Sequence, residues 1–181
     1  MTTIDNLLVL DNVLSKNQCE TLISLGSAKL NNSDLASYLG YEYYEWKNWK
    51  IDPIIRPLTD LIVQEYRNKF PAIVCTATLW GIGDWRLKHF PPGYAFNKWH
   101  HEHDYSNPTR IACILVYLSD HDCGTEFLST GEVIKSVAGR AIMFPTSWTH
   151  THRGQVCPDN RSRYIMSAYA YLTDIKTNEE N

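Results

Sequence analysis

From Ala72 onward the chain breaks into short runs rich in Val, Ile, Thr, Tyr and Trp, separated at fairly regular intervals by Gly, Pro and Asp. That texture constrains the fold more than any other feature. Short β-prone runs bounded by turn residues are the pattern of an antiparallel sandwich or barrel, because turns recurring this often leave no room for helices between the strands. The preceding part reads differently. Leu7 to Leu10 is a short strand-like run, and Ser15 with Gln18 has the spacing of a capping box opening a helix through Leu30, with Cys19, Leu22 and Ile23 on its apolar side. Pro53 marks the first turn of a second helix, in which Ile54, Leu58, Leu61, Ile62 and Tyr66 recur at helical spacing until the Phe70-Pro71 break. The aromatic segment from Tyr38 to Trp49 fits neither period. The expected fold is therefore α+β and mainly β: a helical N-terminal portion, about 1–71, packed on one sheet of a double-sheet jelly roll (a double-stranded β-helix), about 72–175.

At 181 residues, with 44% hydrophobic and 12% aromatic side chains, the chain suits one domain spanning 1–181 with a sizeable core. Its formal charge of −3 and the absence of any Lys/Arg-rich run argue against nucleic acid as a partner. Met1 to Asn12 lacks the basic head and cleavage site of a signal peptide, and no apolar run reaches membrane-spanning length, so the cytoplasm is the expected location. The five cysteines (Cys19, Cys75, Cys113, Cys123, Cys157) are odd in number and widely spaced, with no C-x-x-C pair. Reduced, mostly buried thiols are expected rather than a disulfide framework or a cysteine zinc site. Lys176 to Asn181 reads as a loose polar tail.

The chemistry concentrates in the strand-rich part. All seven histidines lie between His89 and His152. In Trp99-His100-His101-Glu102-His103-Asp104 an extended backbone sends residues i and i+2 to one face, so His100 and Glu102 can grip one ion together. A further imidazole, His150 or His152, follows the strand Ala141 to Phe144, where a neighbouring strand faces the first pair. Two histidines and one carboxylate on one face of an octahedron leave three positions open, the arrangement used by non-haem iron oxygenases. His101 and His103 also share a face, so spacing leaves open a three-histidine zinc site. Other motifs fail: Tyr105 stands where H-E-x-x-H needs its second histidine, and Gly81-Ile82-Gly83-Asp84 lacks the third glycine of a dinucleotide loop.

In order along the chain stand Phe90 with Pro92-Gly93, His100-His101-Glu102, the strand Arg110 to Tyr117, Gly124-Thr125-Glu126-Phe127, His152 and Arg163. This succession, over about Arg86 to Tyr171, resembles the Fe(II)/2-oxoglutarate-dependent oxygenase superfamily, most closely its prolyl 4-hydroxylase-like branch. Glu102 departs from the commoner Asp. The resemblance implies iron ligands His100, Glu102 and His152. It favours His152 over His150 by its distance from Arg163 and by the run His152-Arg153-Gly154, leaving His150 as a supporting residue behind the metal or the alternative ligand. Arg163 opens a strand whose alternation puts Arg163, Ile165, Ser167 and Tyr169 on one inward face, and a buried guanidinium there needs an anion. By resemblance that anion is the distal carboxylate of 2-oxoglutarate, with Tyr117 and Ser167 as further donors; Arg161 is the competing cation.

The implied activity is a 2-oxoglutarate-dependent dioxygenase that hydroxylates an unactivated C–H bond and releases succinate and carbon dioxide. Its cofactors and co-substrates would be Fe(II), 2-oxoglutarate and dioxygen, with ascorbate as an optional addition. The substrate would be a peptide, a prolyl residue first, or a small molecule. Trp85, Lys88, Trp99 and Trp148 are candidates for its entrance, though core or rim roles suit at least half of them. The rivals are a zinc hydrolase with a three-histidine site and a non-catalytic jelly-roll binding module.

Overall fold

A computed structural model describes residues 4–30, 41–74 and 79–173; Cys75, the polar tail and the start of the Tyr38–Trp49 segment lie outside them. The first helix, α1 (Lys16–Ser27), begins at the expected capping box: the Ser15 amide donates to Gln18 Oε1 at 2.9 Å and the Gln18 amide to Ser15 Oγ at 3.3 Å. It ends three residues short of Leu30. The second, α2 (Ile55–Lys69), starts just after Pro53, because Asp52 Oδ1 takes the amides of Ile54 and Ile55 at 2.9 and 3.0 Å. It buries Ile55, Leu58, Thr59, Ile62 and Tyr66 on one stripe, while Leu61 falls outside the stripe and is exposed.

The strands are β1 (Leu8–Leu10), β2 (Glu42–Trp46), β3 (Leu79–Ile82), β4 (Trp85–Phe90), β5 (Arg110–Tyr117), β6 (Gly124–Phe127), β7 (Val133–Lys135), β8 (Arg140–Pro145), β9 (His152–Gly154) and β10 (Arg163–Thr173). Among the described residues the large antiparallel sheet runs β1-β8-β5-β10-β4-β2, with β3 also on β10, and faces a small sheet ordered β7-β6-β9. β2, from the segment that fits neither period, is the edge strand paired with β4. Its residues are all half-buried except Trp46, so no alternation marks it. The large sheet is covered on both faces. Ala112, Ile114, Val116, Ala141, Met143, Met166 and Ala168 pack outward under the helices, whereas Cys113, Leu115, Tyr117, Ile142, Phe144, Ile165 and Tyr169 face the small sheet. Gly26 is where α1 comes nearest to β4, since a Cβ there would strike the Leu87 side chain. The jelly roll with helices on one sheet thus stands as expected, with β1 and β2 added from the N-terminal part. No described helix is long and apolar enough to cross a membrane.

Two cysteines depart from the expectation of reduced thiols. Cys123 and Cys157 form a disulfide across 34 residues, while Cys19 and Cys113 are free and buried. The cause is topological: β6 and β9 pair antiparallel, and the Gln155 amide bonds the Gly124 carbonyl at 2.9 Å, so the residues flanking that rung are brought together.

Candidate metal centre

The segment before β5 meets β9 through an isolated antiparallel bridge between His100 and His152, with the Gly154 amide bonded to the Phe96 carbonyl at 2.8 Å. His100 and His152 exchange both backbone hydrogen bonds, at 3.0 and 2.9 Å, so their imidazoles stand side by side with ring centroids 4.3 Å apart. The amides of Glu102 and His103 then both bond the Thr146 carbonyl, at 3.1 Å each, across a bend that sets Glu102 Oε1 3.5 Å from His100 Nε2. One donor atom from each of His100, Glu102 and His152 lies within 4.8 Å of the others, near enough for modest side-chain rotation to bring all three onto one ion. His101 and His103 are exposed and take no part in that grouping.

Hydrogen bonds choose which nitrogen each imidazole offers. His100 Nδ1 donates to the Lys98 carbonyl and His152 Nδ1 to the His150 carbonyl, both at 2.9 Å, which leaves each Nε2 as the lone-pair donor. His150 is engaged at both nitrogens: Nε2 donates to the Asp5 carbonyl at 2.7 Å and Nδ1 meets the Thr149 hydroxyl at 2.9 Å. Its backbone carbonyl, rather than its ring, supports the cluster. Burial raises the Glu102 carboxyl, but the bond to His100 and the positive charge of Lys88 outweigh it and hold it at about 2. Burial, then the neighbouring His100, hold the His152 imidazole at about 4, against the His150 carbonyl and the Glu102 charge. The cluster at neutral pH therefore holds an ionised carboxylate beside a neutral His152, the protonation states a cation requires.

The three side chains open into a cavity walled also by Tyr41, Lys88, Phe90, Thr125, Gly154, Arg163 and Ile165. Arg163 is 2% exposed. Its Nη1 reaches the Cys123 sulfur at 3.3 Å and its guanidinium lies 4.8 Å from the Phe90 ring centroid, while Nε has no partner and no carboxylate pairs with it among the described residues. Gly154 makes room for it, since a Cβ there would stand 3.1 Å from Nη2. A buried cation without a counter-ion, in the wall of a cavity, could hold an anion. Arg161 is exposed instead and paired with Asp159 at 2.7 Å. Ser167 Oγ is buried without a partner on the same face as Arg163, and the Tyr117 hydroxyl donates to Thr125 Oγ1 at 2.8 Å. Neither Tyr117 nor Ser167 belongs to the wall itself; Thr125 does.

No family model matches the chain, and no curated protein matches it. Solved structures do. The viral collagen prolyl hydroxylase of Paramecium Bursaria Chlorella virus-1, in its 2-oxoglutarate complex, superposes with a TM-score of 0.67 at 18% identity over 93% of this chain and 97% of that one. The chain shares the fold of that protein. A Pseudomonas putida prolyl-4-hydroxylase gives 0.67 at 14% identity over 93% and 94% of the two chains. A Trichoplax adhaerens prolyl hydroxylase, in complex with a hypoxia inducible factor oxygen degradation domain peptide fragment, gives 0.68 at 13% identity over 92% and 84%.

Two residues that the sequence did not single out complete the geometry. Arg110 Nη1 lies 3.3 Å from Glu102 Oε2, opposite the oxygen that faces His100, and its guanidinium stacks 3.9 Å from the Tyr169 ring centroid. Thr125 carries the Tyr117 hydrogen bond to the cavity wall. Of the entrance candidates, Lys88 lines the cavity, whereas Trp85 is fully buried under the helices with its Nε1 donating to Thr59 at 3.0 Å. Trp85 and Lys88 are an odd number of residues apart on one strand and so point to opposite faces. Trp148 is exposed, and Trp99 lies at the surface beneath Arg153, 4.3 Å from its guanidinium. A second group, His121, Cys157 and Asp159, also brings donor atoms together, but the Cys157 sulfur is spent in the disulfide.

Proposed function

We propose that the protein is an Fe(II)- and 2-oxoglutarate-dependent dioxygenase that hydroxylates a C–H bond. The observation that carries this reading is the unpartnered, buried Arg163 in the wall of the cavity that also holds two imidazoles and a carboxylate. His100, Glu102 and His152 would hold the iron, and Arg163 the distal carboxylate of 2-oxoglutarate. When bound, the iron couples oxidative decarboxylation of 2-oxoglutarate by dioxygen to hydroxylation of the substrate, with succinate and carbon dioxide as the other products.

The residues do the placing. The Nδ1 hydrogen bonds of His100 and His152 fix both Nε2 lone pairs toward one point, and Arg110 steadies the outer oxygen of Glu102 so that the other faces the imidazoles. Arg163 supplies a planar fork that matches a carboxylate in two parallel hydrogen bonds. Ser167, without a partner, and Tyr117 lie behind the wall on the Arg163 side, and the Thr125 hydroxyl, which Tyr117 bonds, is the one that lines the cavity. Phe90, Phe96 and Leu115 exclude water from the wall, which strengthens each charged contact inside. A prolyl residue of a peptide is the substrate this reading starts from, supported by the likeness to prolyl hydroxylases, one of them bound to a peptide fragment. A three-histidine zinc hydrolase would need His101 or His103 at the cluster, and both are exposed away from it.

The test is turnover of 2-oxoglutarate. Wild-type protein with Fe(II) and air should form succinate, and His100→Ala and Glu102→Ala should form none while keeping the wild-type circular dichroism. Succinate at the wild-type rate from either variant would remove the assigned ligands.

A further inference from the structure

Two cations stand in the cavity wall, Arg163 and Lys88, and the co-substrate accounts for one. On β4 the side chains alternate, Trp85 and Leu87 toward the helices and Arg86, Lys88 and Phe90 toward the small sheet. Lys88 sits opposite Tyr43 on one side and Ile165 on the other, and its ammonium lies 5.0 Å from the Tyr41 ring centroid. The carboxylates around it are committed elsewhere. Glu42 pairs with His89 at 3.1 Å, Glu45 with Arg86 at 2.9 Å, and Glu102 with His100 and Arg110 at 3.5 and 3.3 Å. No ion pair holds Lys88 among the described residues, yet its charge acts on Glu102, His152 and Cys113, as that of an ammonium inside the site does.

We infer that Lys88 binds a carboxylate of the primary substrate, so that the compound oxidised carries an acidic group beside the reacting C–H bond. This rests on the proposed function. In that reading the groups in the wall other than Lys88 sum to zero, the iron and Glu102 together carrying +1, 2-oxoglutarate −2 and Arg163 +1, and Arg110, behind Glu102 and outside the wall, adds only positive charge. Lys88 then leaves one positive charge uncompensated in a half-buried, aromatic-lined site. A neutral substrate would cover that ammonium without replacing its water, whereas a carboxylate would form a charge-assisted pair with it. Specificity would follow from the difference, because a buried polar group left unpaired penalises the wrong ligand. The acidic group has two sources, the terminal carboxylate of a small acid and an Asp or Glu side chain next to the oxidised residue in a peptide.

The experiment uses Zn(II)-loaded protein with 2-oxoglutarate, which binds without turnover, and reads affinities by calorimetry. Metal-dependent binding of 2-oxoglutarate is measured first; its absence in the wild type would overturn the proposed function and, with it, this inference. Where it is present, two pairs of probes follow: N-acetyl-L-proline against N-acetyl-L-prolinamide, and acetyl-Pro-Asp-amide against acetyl-Pro-Asn-amide. Wild type should prefer the charged member of one pair by about tenfold or more, the pair identifying the source. Lys88→Met should reduce that preference to less than about threefold while changing 2-oxoglutarate affinity by less than about threefold, and Lys88→Arg should keep it. Thermal midpoints near wild type establish that both variants are folded. Equal binding or no binding of charged and neutral members, a preference that survives Lys88→Met, or a loss of 2-oxoglutarate affinity in Lys88→Met as large as in Arg163→Ala would overturn the inference while leaving the proposed function in place.

Discussion

Replacing Arg163 with alanine should separate 2-oxoglutarate binding from metal binding. Arg163 is 2% exposed, and among the described residues its Nε has no partner and its guanidinium bonds the Cys123 sulfur, a weak acceptor. Burial lowers its pKa, opposed by Tyr117 and Asp159, yet an arginine so placed stays charged. A dicarboxylate anchored there would lose its counter-ion in Arg163→Ala and leave a buried anion unpaired, a loss of about 3–5 kcal/mol, or between two and four orders of magnitude in Kd. Arg163→Lys should recover part of it, since a point charge remains without the planar fork. Arg161→Ala should change nothing, because Arg161 is exposed and held by Asp159. The assay is calorimetric titration of 2-oxoglutarate into Zn(II)-loaded wild type and the three variants, with metal content measured in each. Unchanged affinity in Arg163→Ala, or a large loss in Arg161→Ala, would refute the assignment of the anion site.

Three further outcomes follow from the same geometry. His152→Ala should abolish metal binding, whereas His150→Ala, which leaves the supporting carbonyl in place, should weaken it by less than about tenfold; reversed metal affinities would transfer the ligand role to His150. Arg110→Ala should loosen Glu102 and weaken metal binding by roughly 10- to 100-fold with 2-oxoglutarate anchoring retained, as metal and 2-oxoglutarate titrations would report. In the metal-free protein His152 is lowered from 6.5 to about 4, so between those values the unfolded chain binds the proton and the folded one does not. Stability should therefore fall as pH drops from about 6.5 to 4, by on the order of 3 kcal/mol from this group, and urea denaturation of His152→Ala should lack that part of the slope.

Much of the fold follows from local patterns. The capping box at Ser15 and the stripe of α2 act within a few residues, and the turn spacing after Ala72 sets the strand lengths. The shared face of Arg163, Ile165 and Ser167 follows from alternation along β10, whereas His100 and Glu102 meet because the chain bends at Glu102 with two amides held by the Thr146 carbonyl. What escaped depends on contacts between distant segments. The β2 edge strand has no clean alternation because its residues are nearly all half-buried, and its partner β4 lies some forty residues on in the chain. The Cys123–Cys157 bond spans 34 residues in a chain with an odd number of cysteines, so spacing carried no signal. Arg110 meets Glu102 only because the chain turns back through Asp104–Asn107 before β5. The choice between His150 and His152 rested on likeness of spacing, and the structure adds a physical distinction: one ring has both nitrogens engaged, the other has one free.

The most direct test of the central claim is an anaerobic titration of Fe(II) and 2-oxoglutarate into the metal-free protein, followed in the visible range. Chelation of the keto acid by iron in this site predicts a weak charge-transfer band that saturates with 2-oxoglutarate, is absent in His152→Ala, and requires far more 2-oxoglutarate in Arg163→Ala. Failure of wild-type protein to develop that band at saturating Fe(II) and 2-oxoglutarate would contradict the account.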